Sequence, residues 1–403
     1  MPETVNVIVP VCRLSPRSQH CFFGYYDIPA ADEAGRHLCH RVPFRDRLPR
    51  RGDVAELGWL SLPQGPDEEP DQQFHPIAET QAWNFQQSSM AQWLASERDT
   101  CLFNVFEDGH YGCRVCNIRT GRSRTLPLPA ANVSQDGGNA LCINMSRLFD
   151  FRPGYGYEEI RDPFADIAQP RGDGVRLMDV GTGENRLILS LAAIVEFLEQ
   201  SGEQIGGRKV LINHITFNPS ATRFLLLLRT FPEPGKRWET FLVTSDLEGK
   251  DLHRHQVWGI ASHYHWRDDD GMLFYLNTGG PSTLELALVS DATGEMECVD
   301  PAYFRYDGHC SYSPDRRWIL YDSYVDGSTP DYLRNLQVYS LDRREGILLG
   351  RFRAEPLTPE TNDLRCDLHP RWMPGGTAVT FDSIHEGFRG IYRADLSGVV
   401  AER

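Results

Sequence analysis

The chain has 403 residues, of which 40% are hydrophobic and 11% aromatic, a composition typical of folded globular proteins. Its formal net charge of −15 argues against nucleic acid as a partner and means that a polyanionic ligand would need a locally basic pocket. No apolar run is long enough for a transmembrane helix, the N-terminus has no signal-peptide pattern and the ten cysteines are scattered, so we expect a reduced protein of the cytoplasm without a membrane partner.

Strand signals dominate from the N-terminus onward. Short apolar and aromatic runs alternate with turns such as Asp-Gly, Pro-Asp and Thr-Gly, and one such unit recurs. A first copy begins at Phe22. A second begins at Gln87, where Gln87-Ser-Ser-Met-Ala-Gln92 precedes an apolar strand from Cys101, and a third begins near Ala130.

Two insertions interrupt this pattern. Residues 147–173 are expected to form a long, partly ordered loop over one face of the fold. Residues 190–210 are expected to be helical, because Leu191, Ile194 and Leu198 recur at helical spacing and a Gly-Gly pair ends the run. Loops of this length are usually functional, although a purely structural lid is an equal alternative.

Four histidines occupy the same place in the later copies, at intervals of 49, 46 and 60 residues, the length of a four-stranded propeller blade. An aromatic residue follows each of them by three positions, and a Pro or Asp follows by five. The four segments are His214-Ile-Thr-Phe-Asn-Pro219, His263-Tyr-His-Trp-Arg-Asp268, His309-Cys-Ser-Tyr-Ser-Pro314 and His369-Pro-Arg-Trp-Met-Pro374.

Seven copies over this length predict an all-β fold. We expect one seven-bladed β-propeller of four-stranded blades spanning residues 1–403, with the two insertions as a short helical and loop addition. The N-terminal run Val5–Val9 is expected to pair into the last blade and so to remove a free sheet edge. No boundary in the sequence indicates a second domain.

The register of the histidines indicates a site. The innermost strand of each propeller blade lines the central channel, so the four imidazoles, with Gln87 in the same slot of an earlier blade, would converge at one level. Several convergent imidazoles suit Zn, Mn, Fe or Ni. The alternative is that each histidine is a structural hydrogen-bonding residue at the start of its blade.

Neighbouring polar residues refine this hypothesis. Asp367 precedes His369 by two residues and therefore shares its strand face, as Asp307 does with His309. A carboxylate beside an imidazole is a suitable pair for a divalent ion. His265 shares a face with His263 in the same way.

Arginines and tyrosines supply further candidates. Arg229 and Arg237 have the side chain best suited to bidentate recognition of a carboxylate. Tyr26, Tyr155 and Tyr157 lie in loop-like segments, where a ring could stack on a sugar and a phenol could donate a proton; surface charge and packing are the alternative roles. The sequence contains no phosphate-binding loop, dinucleotide fingerprint, nucleophile elbow or His-Glu-x-x-His motif.

The blade repeat, with its Ser-Pro-Asp and Pro-Gly-Gly turns, resembles the TolB-like propellers. His263, Asp307-Gly-His309 and Asp367-Leu-His369-Pro resemble the active-site blades of oligogalacturonate lyases and, more distantly, of propeller ulvan lyases. The resemblance implies a divalent metal, with manganese typical of the family and zinc or calcium as alternatives. It also implies that His309 and His369 are metal ligands and His263 the base. This chain has Asp367 where the family has a further histidine, and Leu364 and Arg365 where it has a glutamine.

The resulting hypothesis is a lyase that cleaves an acidic, uronate-containing oligosaccharide by β-elimination. A metal held by His309, His369 and Asp367, or else Arg229 or Arg237, would neutralise the carboxylate. His263 or His214 would take the C5 proton, and Tyr26, Tyr155 or water would protonate the leaving oxygen. The remaining candidates for substrate binding are Gln87, Tyr155, Tyr157 and His265.

Two alternatives remain open. The chain could be a propeller that binds glycans or a protein partner without catalysis. It could also be a glycoside hydrolase, which would need two carboxylates on one face; Asp307, Asp322 and Asp367 are available for that role.

Overall fold

The computed structural model describes residues 5–63, 65, 68–233, 236–280, 282–324, 332–355, 358 and 362–400. Strands are the predominant secondary structure in this part of the chain. They are β1 (Val5–Asn6), β2 (Val11–Arg13), β3 (His20–Phe22), β4 (Arg36–Val42), β5 (Ala55–Ser61), β6 (His75–Thr80), β7 (Gln92–Trp93), β8 (Thr100–Glu107), β9 (His110–Asn117), β10 (Ser123–Leu126), β11 (Asn132–Val133), β12 (Asn139–Cys142), β13 (Gly174–Asp179), β14 (Asn185–Ser190), β15 (Val210–Phe217), β16 (Arg223–Thr230), β17 (Thr240–Asp246), β18 (His253–His255), β19 (Ala261–Trp266), β20 (Gly271–Asn277), β21 (Leu284–Ser290), β22 (Met296–Cys298), β23 (Cys310–Tyr312), β24 (Trp318–Asp322), β25 (Leu333–Ser340), β26 (Glu345–Arg353), β27 (Arg371–Trp372), β28 (Ala378–Ser383) and β29 (Gly390–Asp395). The described helices are α1 (Met145–Phe151), α2 (Leu191–Gln200) and α3 (Ser397–Val400).

The described strands form seven sheets, and the prediction of a seven-bladed β-propeller is confirmed. Six sheets have four strands, in the orders β3-β4-β5-β6, β10-β9-β8-β7, β11-β12-β13-β14, β15-β16-β17-β18, β19-β20-β21-β22 and β2-β29-β28-β27. The seventh has five strands in the order β1-β26-β25-β24-β23. Among the described strands, β1 and β26 pair in parallel, whereas consecutive strands within a sheet pair antiparallel, as the short turns between them require.

The N-terminal pairing differs from the prediction. Val5 and Asn6 pair in parallel with Ile347 and Leu348 of β26, which belongs to the sheet before the last one. The last sheet is instead completed by β2, in which Val11 pairs with Ala394. Two short N-terminal strands therefore cover two sheet edges, because Pro10 lies between them and cannot donate to a ladder.

The chain divides into two compact units, the first built from residues up to 93, 263–265 and 300 onward, and the second from 94–262 and 266–299. In the first unit one buried cluster contains Leu320, Val338 and Phe381, and another contains Phe22 and Trp83. The core of the second unit includes a buried cluster around Leu102, Val115 and Met178, drawn from β8, β9 and β13. These residues alternate with less buried ones along their strands or lie in continuous apolar runs, as half-buried and fully buried strands require.

Both predicted insertions lie in the second unit. Residues 147–173 lie between β12 and β13 and include most of α1, a helix that the sequence did not indicate. Asn144 caps this helix, and the buried guanidinium of Arg147 pairs with Asp162 and donates to four backbone carbonyls, among them Val210 O at 2.7 Å. The first insertion is therefore an ordered structure with its own buried ion pair.

The second insertion contains the helix that was expected within residues 190–210. This helix is α2, capped by Ser190.

The register assigned to Gln87 was wrong. Each of the four repeat histidines lies three residues before the end of a strand, as His309 does before Tyr312. In the second copy the strand β7 ends at Trp93, so Met90 occupies that position and Gln87 lies three residues too early. Ser88 and Met90 both have positive φ, and this turn adds residues that the sequence pattern did not indicate.

Candidate active site

Three of the repeat histidines meet in the first unit. His263 lies on β19, His309 immediately precedes β23 and His369 lies two residues before β27. The ring centres of His263 and His309 are 4.1 Å apart, and those of His309 and His369 are 4.3 Å apart. The three side chains are buried, with residue exposures of 6%, 1% and 3%. They therefore form a row of imidazoles in contact.

Two of these imidazoles are oriented by carboxylates. His263 Nδ1 lies 2.8 Å from Asp307 Oδ1, and His309 Nδ1 lies 2.9 Å from Asp322 Oδ2. Burial raises the pKa of Asp322 to about 6, which leaves it ionised at neutral pH and able only to accept. Each carboxylate thus holds the proton on Nδ1 and leaves the lone pair on Nε2.

Gly308 makes the second of these pairs possible. A Cβ at this position would lie 1.9 Å from the backbone oxygen of Asp322, so only glycine allows the two strands to approach so closely. This approach also lets the backbone N–H of His309 donate to Asp322 Oδ1 at 2.8 Å. The glycine of the Asp307-Gly308-His309 segment is therefore required for the contact between His309 and Asp322.

Three potential ligand atoms for a metal converge in this row. One atom each from His309, Asp367 and His369 lies within 4.8 Å of the others. The Nε2 atoms of both histidines and Asp367 Oδ1 are buried and make no hydrogen bond. Burial and the neighbouring imidazole lower the pKa of His309 and of His369 well below the usual value, so both are neutral. Two neutral imidazoles and a carboxylate are a donor set that fits a divalent transition metal.

The backbone at His369 supports a functional role. Its φ is +41°, in the left-handed region that side chains with a Cβ rarely adopt. Such conformations persist where the surrounding structure imposes them, and they concentrate at functional sites. The imidazole of His369 faces His309 because of this unusual turn before β27.

Asp367 lies between two buried arginines. Arg365 Nε is 2.6 Å from Asp367 Oδ2. One guanidinium nitrogen of Arg334 lies 2.7 Å from Asp367 Oδ1, although it donates no aligned hydrogen bond. Burial alone would raise the pKa of Asp367, but the two guanidinium groups outweigh it and lower the pKa. The carboxylate is therefore always ionised, and the three side chains together carry one positive charge in excess.

Tyr324 completes the site and was missed by the sequence interpretation. Its hydroxyl lies 3.2 Å from His263 Nε2, and its ring lies 5.1 Å from the guanidinium carbon of Arg334 and 5.6 Å from that of Arg365. The available signal was its position two residues after Asp322, at the end of an apolar strand. His263 therefore has a carboxylate on one nitrogen and a phenol on the other.

Tyr26 does not have the role predicted for it. Its hydroxyl donates to Tyr264 O at 2.6 Å and accepts from Tyr264 N at 2.7 Å, so both functions of the phenol are occupied by backbone. Its ring packs 5.0 Å from that of His309, while Tyr25 packs 5.2 Å from His369. Burial raises the pKa of Tyr26 well above the usual value. Tyr26 supports the imidazoles and is not positioned as a proton donor.

Two other predicted residues, His265 and Gln87, belong to the first unit. The backbone N–H of Tyr312 approaches His265 Nδ1 at 3.4 Å, and burial, with help from Arg316, lowers the pKa of His265 to about 4. Gln87 is buried in a loop that packs against Gly24, and its backbone N–H donates to Asn84 Oδ1.

The remaining predicted residues lie in the second unit. His214 on β15 packs against Tyr155, with ring centres 6.0 Å apart, and Arg229 lies 5.6 Å from the ring of Trp238. Tyr157 is fully buried and its hydroxyl bonds to Asn104 at 2.9 Å, which is a packing role and not the substrate contact predicted. Arg237 is exposed at the edge of a cavity.

The second unit has another cluster of potential metal ligands. His253 and His255 on β18 face Asp291, which follows β21. Asp291 is also 2.6 Å from Arg223 Nε and accepts a short hydrogen bond from Thr244. The carboxylate is thus already fully engaged by protein groups.

The described chain is a seven-bladed β-propeller that contains a buried row of imidazoles and carboxylates. Among the described residues, no helix is both long and apolar enough to cross a membrane. No family model matches the chain, and no curated protein matches it.

Solved structures do match. An oligogalacturonate lyase in complex with manganese aligns with a TM-score of 0.66 and 13% identity, covering 96% of this chain and 93% of its own. The oligogalacturonate lyase of Vibrio parahaemolyticus aligns with a TM-score of 0.62 and 14% identity over the same shares. A puromycin-hydrolyzing peptidase of Mycobacterium tuberculosis aligns with a TM-score of 0.52 and 11% identity, with 98% of this chain and 55% of that one covered. At these identities the similarity shows the propeller fold.

Proposed function

We propose that this protein is a lyase that cleaves a uronate-containing oligosaccharide by β-elimination. The observation that carries the proposal is the environment of His263. Its imidazole has Asp307 on Nδ1 and the Tyr324 hydroxyl on Nε2, beside two neutral histidines whose Nε2 atoms have no hydrogen-bond partner. The likeness to oligogalacturonate lyases supports the choice of reaction class.

The two groups around His263 Nε2 can perform both proton transfers. The imidazole takes the proton from C5 of the uronate, the C–H electron pair forms the C4–C5 double bond, and the C4–O bond breaks. Tyr324 donates its proton to the leaving oxygen. Because the phenol lies 3.2 Å from Nε2, the proton on the imidazolium then returns to the phenolate and restores both groups. Asp307 stabilises the charged imidazolium between these steps.

His309 and His369 would hold a divalent metal, with Asp367 as the third ligand. The manganese of the similar lyase makes manganese our first choice. When bound, such an ion neutralises a carboxylate and so acidifies the neighbouring C–H bond. Asp322 keeps the Nε2 lone pair of His309 available, and the arginines on either side of Asp367 fix its orientation.

The excess positive charge of the Arg334–Asp367–Arg365 group favours an anionic substrate at the same place. In a buried site a guanidinium acts on a nearby carboxylate far more strongly than it would in water. The enolate that develops after loss of the C5 proton carries additional negative charge, so this field stabilises the intermediate more than the substrate. We infer that these arginines replace part of the role that the sequence interpretation gave to Arg229 and Arg237.

The arrangement does not favour a glycoside hydrolase. That reaction needs two carboxylates free to act as acid and base or nucleophile. Asp307 and Asp322 each hold a histidine, and Asp367 is shared by two arginines.

The test is a screen of galacturonate and other uronate oligosaccharides for the near-ultraviolet absorbance of the unsaturated product. We expect one of them to be cleaved, and we expect His263→Ala to lower kcat by about 10²–10⁴, the usual contribution of a general base. His253→Ala in the second unit is the control. Undiminished cleavage by His263→Ala, or no cleavage of any uronate by metal-loaded protein, would contradict the proposal.

A further inference from the structure

A cavity of about 510 Å³ lies within the second unit, and none of the residues that build the imidazole row is among its lining residues. It is formed by the segment after α2, the ends of β16 and β17 and the segment between β18 and β19. A volume of this size falls in the range of small-ligand sites. Its charged lining residues are Glu203, Arg208, Glu233, Lys236, Arg237 and Glu239.

Most of these charges are already paired. Arg208 lies 2.8 Å from Glu239, Lys236 lies 2.6 Å from Glu233, and Glu203 is bonded by Arg254. Arg237 has no ion-pair or hydrogen-bond partner within the parts of the chain that the structure describes. The cavity therefore offers one uncommitted guanidinium among carboxylates that are held in place but partly exposed.

This combination selects a particular ligand chemistry. Because the three carboxylates are paired with cations, the single uncommitted guanidinium favours a ligand with one negative charge over a phosphate, and the carboxylates can still accept hydrogen bonds from hydroxyl groups. A single guanidinium is suited to one carboxylate. Phe231 and Phe241 add an apolar surface, and Trp258, 39% exposed, follows the lining residue Val257. A polyhydroxylated ring with one carboxylate satisfies all of these groups.

We propose that this cavity is a second saccharide-binding site, which takes a uronic acid residue and anchors its carboxylate on Arg237. The cavity lining carries the argument for an acidic sugar, whereas the choice of galacturonate as the probe rests on the proposed lyase function. The site is separate in sequence from His263, His309 and His369. It would hold a sugar unit without cleaving it, since the described lining contains no histidine.

The experiment measures galacturonate binding by saturation-transfer NMR in a His309→Ala/His369→Ala protein, in which the proposed catalytic site is disabled. We expect binding to persist in this background. Adding Arg237→Met should raise Kd by about tenfold or more, the effect of losing a charge-assisted hydrogen bond. Lys236→Met is the matched control, because Lys236 is already paired with Glu233, and it should change Kd much less.

Three results would overturn the proposal: no galacturonate binding in the disabled protein, equal binding with Arg237→Met, or equally strong binding of uncharged galactose. If the histidine variants do not fold, a galacturonate soak of wild-type crystals decides the matter by density at Arg237. The outcome is independent of the lyase assignment. A protein that cleaves no uronate can still bind one here, and a lyase can lack this site.

Discussion

Two histidine–aspartate clusters in this molecule have similar ligand atoms at similar distances but different chemistry. His309, His369 and Asp367 in the first unit, and His253, His255 and Asp291 in the second, each bring three potential ligand atoms within 4.8 Å of one another. Both carboxylates are engaged by arginines, so the difference lies in which imidazole nitrogens already have partners. Proximity of ligand-type residues is therefore not sufficient for a metal site.

In the second cluster the carboxylate is saturated. Arg223, Thr244 and His255 Nε2 all bond to Asp291, and the Nδ1 of His253 bonds to its backbone oxygen. If a metal bound His255 Nε2, the imidazole proton would be on the buried Nδ1, which has no hydrogen-bond acceptor. In the first cluster Asp322 receives the Nδ1 proton of His309, and the Nε2 atoms of His309 and His369 are buried without a hydrogen-bond partner. The second cluster is structural and the first is available for a ligand.

The largest expected difference between the clusters is in metal affinity. His309→Ala/His369→Ala should weaken manganese binding by at least about a hundredfold, because it removes two ligands where loss of an outer partner alone costs 10–100-fold. His253→Ala/His255→Ala should leave it unchanged. Equilibrium dialysis followed by elemental analysis measures both. Equal losses in the two variants would show that the comparison is wrong.

The next effect concerns the phenol of Tyr324, whose ring lies 5.6 Å from that of His309 in the first cluster. Tyr324→Phe should lower kcat on the cleaved uronate by roughly 100-fold with little change in KM, since it removes a proton donor and keeps the ring. Tyr306→Phe, an exposed tyrosine of the same unit, should keep full activity. Steady-state kinetics separate the two parameters. A variant that changes only KM would make Tyr324 a binding residue.

A smaller effect is expected on stability in the second cluster. Asp291→Ala removes the buried carboxylate shared by Thr244, His255 and Arg223, which keeps its exposed partner Asp251, and should lower the free energy of unfolding by about 2 kcal/mol. Asp342→Ala removes an exposed partner of Arg317 and should cost less than about 1 kcal/mol. Urea denaturation compares the two variants. If Asp291→Ala is as stable as wild type, the structural role of this cluster is refuted.

The smallest effect is the pH dependence of that stability. Burial alone would raise the pKa of Asp291, but His255, Thr244 and Arg223 outweigh it and lower the pKa below its usual value. As pH falls from about 5 to about 3, the unfolded chain binds this proton more readily than the native protein, so the carboxylate's stabilisation is lost. The stability gap between wild type and Asp291→Ala should therefore narrow by about 1 kcal/mol over this range. Urea titrations at both pH values measure it, and a constant gap would contradict the assignment.

Much of the fold could be predicted because it is a repeat. Apolar runs such as Phe224–Leu228, bounded by turns, identify buried strands locally, and the spacing of His263, His309 and His369 identifies equivalent places in successive copies. Gln87 was placed wrongly because the turn through Ser88 and Met90 depends on backbone conformations that no residue pattern reveals. The N-terminal strands were misassigned because a two-residue strand carries almost no pattern.

The site itself could be predicted only in part. Asp322 ends the apolar strand Trp318–Asp322, and no local pattern indicates that it pairs with His309. Arg334 lies in β25, where a charged residue normally indicates a solvent-facing position. Tyr26 looked like a proton donor because its loop was expected to overhang the site, yet the backbone of Tyr264 occupies its hydroxyl. In each case the deciding partner is distant in sequence.

By itself, the sequence determined the strands, the seven-fold repeat and the register that brings three imidazoles together, because these follow from side-chain alternation and spacing along one chain. The tertiary structure decided which nitrogen of each imidazole keeps a lone pair. That choice depends on hydrogen bonds between residues far apart in sequence, such as His263 with Asp307 and with Tyr324. A lone pair is available for chemistry only where folding has given the opposite nitrogen a carboxylate and has left this one without a partner.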